Sequence, residues 1–341
     1  MKRGVLACAA LLFAGVAMSE ARAESNYKIL KFSELKGWAD DDHQAALDVF
    51  LNTCSDLKDP VWQSICAFAQ QKPAARQFFE LFFRPVLING NDTALFTGYF
   101  EPELDGSTSK GGRYRYPIYR KPPEAKGTWL TRAEIEETDT LSGRGLEIAW
   151  VDDAVELFFL QVQGSGRVRL PSGSTIRVGY AGNNGRKYRS IGQEMIRRGI
   201  YQPYQVSAEV IRNWVNRNPV DGRLLLQHNP SYVFFRKIGV SADLGPLGAM
   251  NRSITSMRSV AIDPAYTPLG APVWIEKAGE NPLNRLMVAQ DTGSAIKGAQ
   301  RADVFFGTGD DAGRAAGAIR DSGRVVVLLP IDLALELAPE S

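Results

Sequence analysis

Histidine is nearly absent from this 341-residue chain: His43 and His228 are the only two, and they lie far apart. That excludes a poly-histidine metal centre and leaves Ser-His-Asp chemistry only two candidate bases. Acid–base work therefore falls to carboxylates. Cysteine is scarce, with three residues, and charge of one sign is not in excess, with 40 basic against 38 acidic residues. Past the first two dozen positions there is no apolar run of about 18 residues, so no transmembrane helix is expected in a mature chain.

Residues 1–23 read as a secretory signal. Lys2 and Arg3 begin it, Val5–Met18 is almost wholly apolar, and Ala21-Arg22-Ala23 forms an A-x-A cleavage site before Glu24. Removing it leaves 318 residues carrying 37 basic and 37 acidic side chains, a formal charge of zero. Zero charge argues against a protein built to grip nucleic acid. With 44% hydrophobic and 23% charged residues the chain is an ordinary globular protein, long enough for one large or two modest domains. The residues before Cys8 only faintly resemble a lipoprotein box, which would fall inside the apolar run, so a soluble exported form is expected. Cys54 and Cys66 then remain. In an exported chain they predict one disulfide stapling a helical hairpin, with two buried free thiols as the alternative.

Residues 24–84 look helical. Runs at 42–53 and 60–71 precede a third helix after Pro73, with Phe78, Phe79, Leu81 and Phe82 as its buried side. From about residue 85 the texture turns to short β-type runs. Residues 86–88 and 94–100 are split by the turn signal Asn89-Gly-Asn-Asp92. Residues 104–125, rich in Gly, Ser, Lys and Pro, read as a boundary or exposed loop. Thr131-Arg-Ala-Glu134 is a capping box. Runs 146–151 and 155–162 read as strands, and 167–170 with 175–178 as a β-hairpin around Pro171-Ser-Gly-Ser174. Ser190 and Ser207 read as helix N-caps. Six strand candidates follow, at 232–236, 259–262, 272–276, 285–290, 302–306 and 324–329, with a short helix at 309–319. Helices are too few for a doubly wound sheet, so the pattern predicts a small barrel.

Three aspartates sit in or at the ends of apolar strand-like runs: Asp263, Asp291 and Asp303. Asp303, within Ala302-Asp-Val-Phe-Phe306, has apolar neighbours on both sides. Strand alternation predicts Asp303 and Phe305 on one face, Ala302 and Val304 on the other. Partial desolvation raises a carboxyl pKa, as a general acid near neutral pH requires, and a nearby Asp291 would raise it further. The plain alternative is that these aspartates cap turns or pair with Arg301 and Lys297; Asp263, before Pro264, fits it best. Phe96-Thr-Gly-Tyr-Phe-Glu-Pro102, Gln161-Val-Gln-Gly-Ser-Gly166 and Tyr180-Ala-Gly-Asn-Asn-Gly185 bring aromatics, amides and hydroxyls onto strands and turns. That mixture suits a sugar polymer, and equally suits core aromatics and ordinary turns.

Taken together, Thr97-Gly-Tyr-Phe-Glu-Pro102, Gln163-Gly-Ser-Gly166, Tyr180-Ala-Gly182, Tyr188-Arg-Ser-Ile-Gly192, Asn229-Pro-Ser231, Ala261-Ile-Asp-Pro264 and the stretch from Gln290 to Phe306 resemble the membrane-bound lytic murein transglycosylase A family with its three-aspartate domain. The resemblance covers about residues 85–330. It implies a mainly β fold with α: a double-psi β-barrel (24–103 plus 235–341, with the N-terminal helices) and a second, inserted β-domain (104–234), glycan lying between them. It implies cleavage of the MurNAc-β-1,4-GlcNAc bond of peptidoglycan in the periplasm by attack of the muramoyl C6 hydroxyl on C1, leaving 1,6-anhydro ends. Asp303 would be the catalytic carboxyl and Asp291 its support, while Thr97, Tyr99, Gln163 and Ser165 would line sugar subsites. Neither metal nor cofactor is implied, and the partner is the glycan strand. The lack of a well-placed lipobox cysteine departs from the membrane-bound family name. A wall-binding protein resembling expansins, and a hydrolase using Asp303 and Asp291 as an inverting pair, are the competing readings.

Overall fold

Two β-sheets, each assembled from segments distant in sequence, organise the computed structural model, which describes residues 26–138 and 140–337. The secretory-signal reading of residues 1–23 lies outside them.

The first sheet runs in the order Tyr27–Ile29, Phe83–Ile88, Arg320–Pro330, Pro272–Lys277, Leu283–Asp291, Ser259–Ala261, Arg301–Thr308, Ala94–Glu101. Its last strand pairs back onto Arg320–Pro330, so six strands close into a ring. Most neighbours are antiparallel, but Ser259–Ala261 runs parallel to Leu283–Asp291, and Arg301–Thr308 parallel to Ala94–Glu101. Period-two alternation explains how the ring fills. Val273, Ile275, Met287, Ala289, Ala302 and Val304 pack with Phe96 and Val260 in one core. The alternate residues Trp274, Leu286 and Val288 face the other way, into a core shared with the N-terminal helices.

Those helices are His43–Leu51, Pro60–Ala69 and Ala75–Phe82. Asp42 and Asp59 cap the first two by accepting amide hydrogens, and Pro60 opens the second at a position where its missing N–H costs nothing. Cys54 and Cys66 are joined in a disulfide with Cα atoms 5.5 Å apart, stapling the hairpin. Residues 24–84 are not wholly helical, however, because Tyr27–Ile29 adds a strand beside Phe83–Ile88. In the third helix Phe78 and Phe79 are buried, but Leu81 is 62% exposed. At 3.6 residues per turn, a residue two positions past a buried one points away from the core.

The second sheet has the order Tyr116–Tyr119, Glu147–Val151, Glu103–Ser107, Ser165–Arg169, Thr175–Asn183, Val233–Lys237. Two of these strands occupy the 104–125 stretch expected to be loop. Inter-strand pairing of Gly106 and Ser107 with Val151 and Trp150 orders a segment whose composition looked irregular. The hairpin around Pro171–Ser174 forms as predicted. Residues 155–162, expected as a strand, instead form the helix Ala154–Gln163. The Asp153 carboxylate accepts the amides of Val155 and Glu156, and Gly164, at φ 80°, stops the helix in the left-handed conformation. The end signals, not the apolar run, decided its type. Ser190 and Ser207 cap Ile191–Arg197 and Ala208–Arg217. Helices Pro219–Gln227 and Ile331–Leu337 were not anticipated.

The chain leaves the first sheet along Ala94–Glu101 and enters the second at Glu103, with Pro102 between. It returns between Lys237 and Ser259. Glu101 stands at the outward crossing, fully buried. Its Oε2 accepts from Arg167 Nε (2.9 Å) and Thr308 Oγ1 (2.9 Å), and its Oε1 from Arg177 Nη2 (2.9 Å). Arg177 also donates to the carbonyls of Ser241 and Leu244 on the returning segment. One carboxylate thus ties both crossings and both sheets.

Candidate active site

Asp303 lies on Arg301–Thr308, directly opposite Thr97 of the parallel strand Ala94–Glu101, and Phe305 lies opposite Tyr99. Register and alternation put Thr97, Tyr99, Asp303 and Phe305 on one face, while Ala302, Val304 and Phe96 fill the ring. Thr97 Oγ1 donates to Asp303 Oδ1 at 2.5 Å and accepts from Arg301 Nη2 at 2.8 Å. The Tyr99 and Phe305 rings pack with centroids 5.2 Å apart. Gly98, between Thr97 and Tyr99, has no room for a side chain: a Cβ there would come within 2.7 Å of the Ala316 backbone in helix Gly309–Gly317.

Asp291 ends the strand Leu283–Asp291. Ala261 is in register with Asp291 on one side and Asp303 on the other, so the two aspartates stand two strand spacings apart, about 10 Å between backbones. Tyr99 spans part of that gap, its hydroxyl donating to Asp291 Oδ2 at 3.0 Å. Asp291 Oδ1 accepts the amides of Thr292 (2.9 Å) and Ala249 (3.0 Å).

Burial raises both carboxyls, and other contacts separate them. At Asp303, desolvation pushes the pKa up, while the Thr97 hydrogen bond and the Arg301 charge pull it partly back. Asp291 is pushed up to about 6, again mainly by burial, opposed by hydrogen bonds from Thr292, Tyr99 and Ala249, with the Asp303 charge adding a small upward contribution. Burial is thus the leading cause at both carboxyls, as expected for Asp303, whereas the further upward push expected there from Asp291 is not among the causes. Tyr99 is raised well above its ordinary value by burial and then by the two carboxylates. At Asp303 the Thr97 bond occupies Oδ1, and among the described residues no hydrogen bond reaches Oδ2.

Gln163 closes the helix Ala154–Gln163, and its Oε1 accepts the Phe100 amide at 3.0 Å, next to Tyr99. This bond joins the second sheet's helix to the strand that carries Thr97 and Tyr99. Ser165 follows at the start of the hairpin strand, nearly buried, and no hydrogen bond joins it to either aspartate among the described residues. Gln161 is turned away from the site, accepting from the buried Arg132 Nη2 at 2.5 Å. Asn184 is likewise structural. It is fully buried, donates to Leu130 and Pro230 carbonyls, and accepts the Tyr232 amide. Tyr180, in the same motif, is half exposed.

Asp263 behaves as a turn carboxylate. It accepts the Gly298 amide at 2.9 Å and the Ala265 amide at 3.3 Å, and it pairs with Lys297 at 3.5 Å. Burial pushes its pKa up, but these partners outweigh that and hold it below the ordinary value. Sequence reasoning missed Glu101 and treated Arg301 only as a counter-charge. Glu101 carried the same signal as Asp303, a carboxylate inside an aromatic strand. Among the described residues no group of three or more His, Cys, Asp or Glu side chains is placed to hold a metal ion. No helix among them is long and apolar enough to cross a membrane.

Comparison with known proteins gives two family matches. Residues 95–236 match the MltA specific insert domain, and residues 258–329 match the 3D domain. A membrane-bound lytic murein transglycosylase A of Vibrio cholerae is 32% identical over 280 residues, covering 78% of this chain and 74% of the relative. A crystal structure of a membrane-bound lytic murein transglycosylase from Agrobacterium tumefaciens superposes with a TM-score of 0.83 at 31% identity, covering 92% of this chain and 99% of that one. The crystal structure of Escherichia coli MltA with bound chitohexaose gives 0.73 at 29% identity, covering 85% and 90%.

Proposed function

The chain belongs to the membrane-bound lytic murein transglycosylase A family, and we propose that it is a peptidoglycan lytic transglycosylase with Asp303 as its single catalytic carboxyl. The observation that carries this reading is the pairing of Asp303 with Thr97. A carboxyl raised by burial has one oxygen held by a hydroxyl and the other left for substrate.

The chemistry needs one proton and returns it. Asp303, protonated on Oδ2, gives its proton to the glycosidic oxygen as the C1–O bond of MurNAc breaks. The MurNAc C6 hydroxyl oxygen bonds to C1, and its proton goes to the Asp303 carboxylate. The 1,6-anhydro product leaves with the acid regenerated. Water does not enter, and neither metal nor cofactor is required. A glycosidase that used water would need a second carboxylate free to activate it or to attack. Asp291 is poorly suited to that, since two amides and the Tyr99 hydroxyl already hold its oxygens. It acts instead through Tyr99, fixing the ring that separates it from Asp303. Thr97, Tyr99, Gln163 and Ser165 line the sugar subsites on this reading, with Gln163 keeping its NH2 group as a donor.

The closed six-strand ring with two parallel pairings supports reading the first sheet as a double-psi barrel, formed by 24–103 and 235–341. Residues 104–234 are the inserted domain, and glycan lies where the two meet. A periplasmic location is part of this reading, supported by the peptidoglycan substrate and by the leader-like composition of the first 23 residues.

Digestion of purified sacculi followed by mass spectrometry tests the function. The wild-type chain should release muropeptides with 1,6-anhydro ends, and Asp303→Asn should lose release at least a thousandfold while keeping its circular dichroism. Reducing ends that carry heavy oxygen from labelled water would convict a hydrolase. Glycan binding with no new chain ends would leave only a wall-binding protein.

A further inference from the structure

Arg301 precedes Asp303 by two residues on the same strand, so alternation puts both side chains on one face. Its Nη1 is anchored on the carbonyls of Ala302 (2.6 Å) and Leu95 (3.2 Å), which aims Nη2 at Thr97 Oγ1. A guanidinium only donates, and a hydroxyl has one proton. While Arg301 occupies the Thr97 oxygen as a donor, the Thr97 proton is directed to Asp303 Oδ1. Without Arg301 nothing fixes the orientation of that hydroxyl, which is then free to turn away from Oδ1.

We propose that Arg301 is a positioning residue for Asp303: by locking the Thr97 hydroxyl as a donor to Oδ1, it directs the transferable proton to Oδ2 and sets how readily Asp303 releases it. The proposal rests on the reading of Asp303 as the acid and base. A hydrogen bond to the charged form favours that form, and so does a nearby cation. Both oppose the upward push that burial exerts on Asp303. Burial in turn weakens the proton affinity of Arg301, against which the Asp303 charge acts.

The other charged groups on the surrounding elements are placed differently. Strand Ala94–Glu101 carries Tyr99, engaged with Asp291, and Glu101, engaged with Arg167, Arg177 and Thr308. Strand Leu283–Asp291 contributes Asp291 itself, while Ser259–Ala261 places only Ala261 opposite Asp303. Strand Arg320–Pro330 brings Arg320 into register with Thr97. Helix Gly309–Gly317 carries Asp310, Asp311 and Arg314, of which Arg314 pairs with Asp311. Among the described residues only Arg301 donates a hydrogen bond to the hydroxyl that touches Asp303.

The test is the pH dependence of kcat/KM for release of 1,6-anhydro muropeptides. The alkaline limb marks loss of the acid's proton from the free enzyme. Arg301→Gln should move that limb upward by about 0.5–1 pH unit, because it removes a cation and unlocks the hydroxyl. Thr97→Val should move it in the same direction, and Arg301→Gln added to Thr97→Val should move it further by clearly less than Arg301→Gln moves the wild type, since the direct effect of the charge remains but the route through the hydroxyl is already gone. Arg301→Lys keeps the charge without the fork and should give an intermediate shift, with all variants checked for fold by circular dichroism. A uniform loss of rate at every pH, with the limb unmoved, would reduce Arg301 to a structural residue and overturn the proposal. Fully additive shifts would overturn the route through Thr97. Turnover by Asp303→Asn would instead sink the parent reading, so the two failures are separable.

Discussion

Glu101→Gln is the substitution with the sharpest structural consequence outside the active site. The side chain keeps its volume and loses its charge. Glu101 is 0% exposed, and its partners Arg177 and Arg167 are 6% and 15% exposed. Removing one partner from a buried ion pair costs about 3–5 kcal/mol, because the other charge is left without compensation. Two features pull the figure to the low end. Arg177 retains the Ser241 and Leu244 carbonyls, and Arg167 is close enough to solvent to turn outward. Against that, the amide nitrogen of Gln replaces one of the two acceptor oxygens, so it faces either Arg177 or the pair Arg167 and Thr308, and it cannot accept from a guanidinium at either position. A loss of about 3 kcal/mol is expected.

Urea unfolding followed by tryptophan fluorescence reads this directly, since Trp274 reports the first sheet and Trp150 the second. The double variant Glu101→Gln/Arg177→Met should recover part of the loss, because the orphaned cation is gone. The coupling between the two positions should be about 1–3 kcal/mol. Activity should fall more than stability predicts, since Glu101 fixes the crossing that bears Thr97 and Tyr99. A destabilisation under about 0.5 kcal/mol, typical of a surface site, would refute the reasoning that this cluster clamps the two sheets.

Two further perturbations concern stability and pH. Replacing both Cys54 and Cys66 with Ser opens a loop whose ends lie 12 residues apart, and the loop-entropy relation puts the cost at about 3 kcal/mol. An unchanged urea midpoint would show that the bridge contributes nothing. Asp291, at about 6 in the folded chain and 3.8 unfolded, binds its proton more tightly when folded. Its contribution to stability therefore falls as pH rises from about 4 to 6 and stays flat above that. Asp291→Asn should be more stable than wild type at pH 7, by ~1–2 kcal/mol after allowing for partial solvent screening, and the gain should vanish near pH 4. Activity should drop, in the usual exchange between function and stability. A variant no more stable at pH 7 than at pH 4, relative to wild type, would remove burial as the cause.

Much of the barrel was legible because its strands obey period two, and the residues filling the ring are the apolar ones at alternate positions. Asp303 stood out for the same reason: a carboxylate at an alternate position within an apolar strand must face something other than the core. What failed was local ambiguity. Residues 155–162 form a nearly continuous apolar run whose type periodicity does not assign, so their helix depended on the Asp153 and Gly164 end signals. Strands at 103–107 and 116–119 are held by partners distant in sequence, which no local pattern reveals. The site showed the same division. Thr97 beside Asp303 depends on the parallel register of two strands about 200 residues apart, and Arg301 gains a role only once that register is fixed.

On the proposed reading, that register also lets a chain with two histidines do acid–base chemistry. His43 is packed against Trp38 in the helical core, its pKa lowered mainly by burial, and His228 lies against Glu194 among the helices between Thr175–Asn183 and Val233–Lys237. Neither reaches the barrel face. The parallel pairing instead brings a hydroxyl and a guanidinium to one carboxyl, and burial supplies the raised pKa that an imidazole has without help. A lone aspartic acid suffices when the substrate carries its own nucleophile, since one group then takes back the proton it gave. The surroundings therefore need only oppose burial by the right amount. Thr97 and Arg301 lower the proton affinity of Asp303 while Asp291 stays tied to Tyr99 and backbone amides, so two carboxyls of the same chemistry are kept apart in function by what each one accepts.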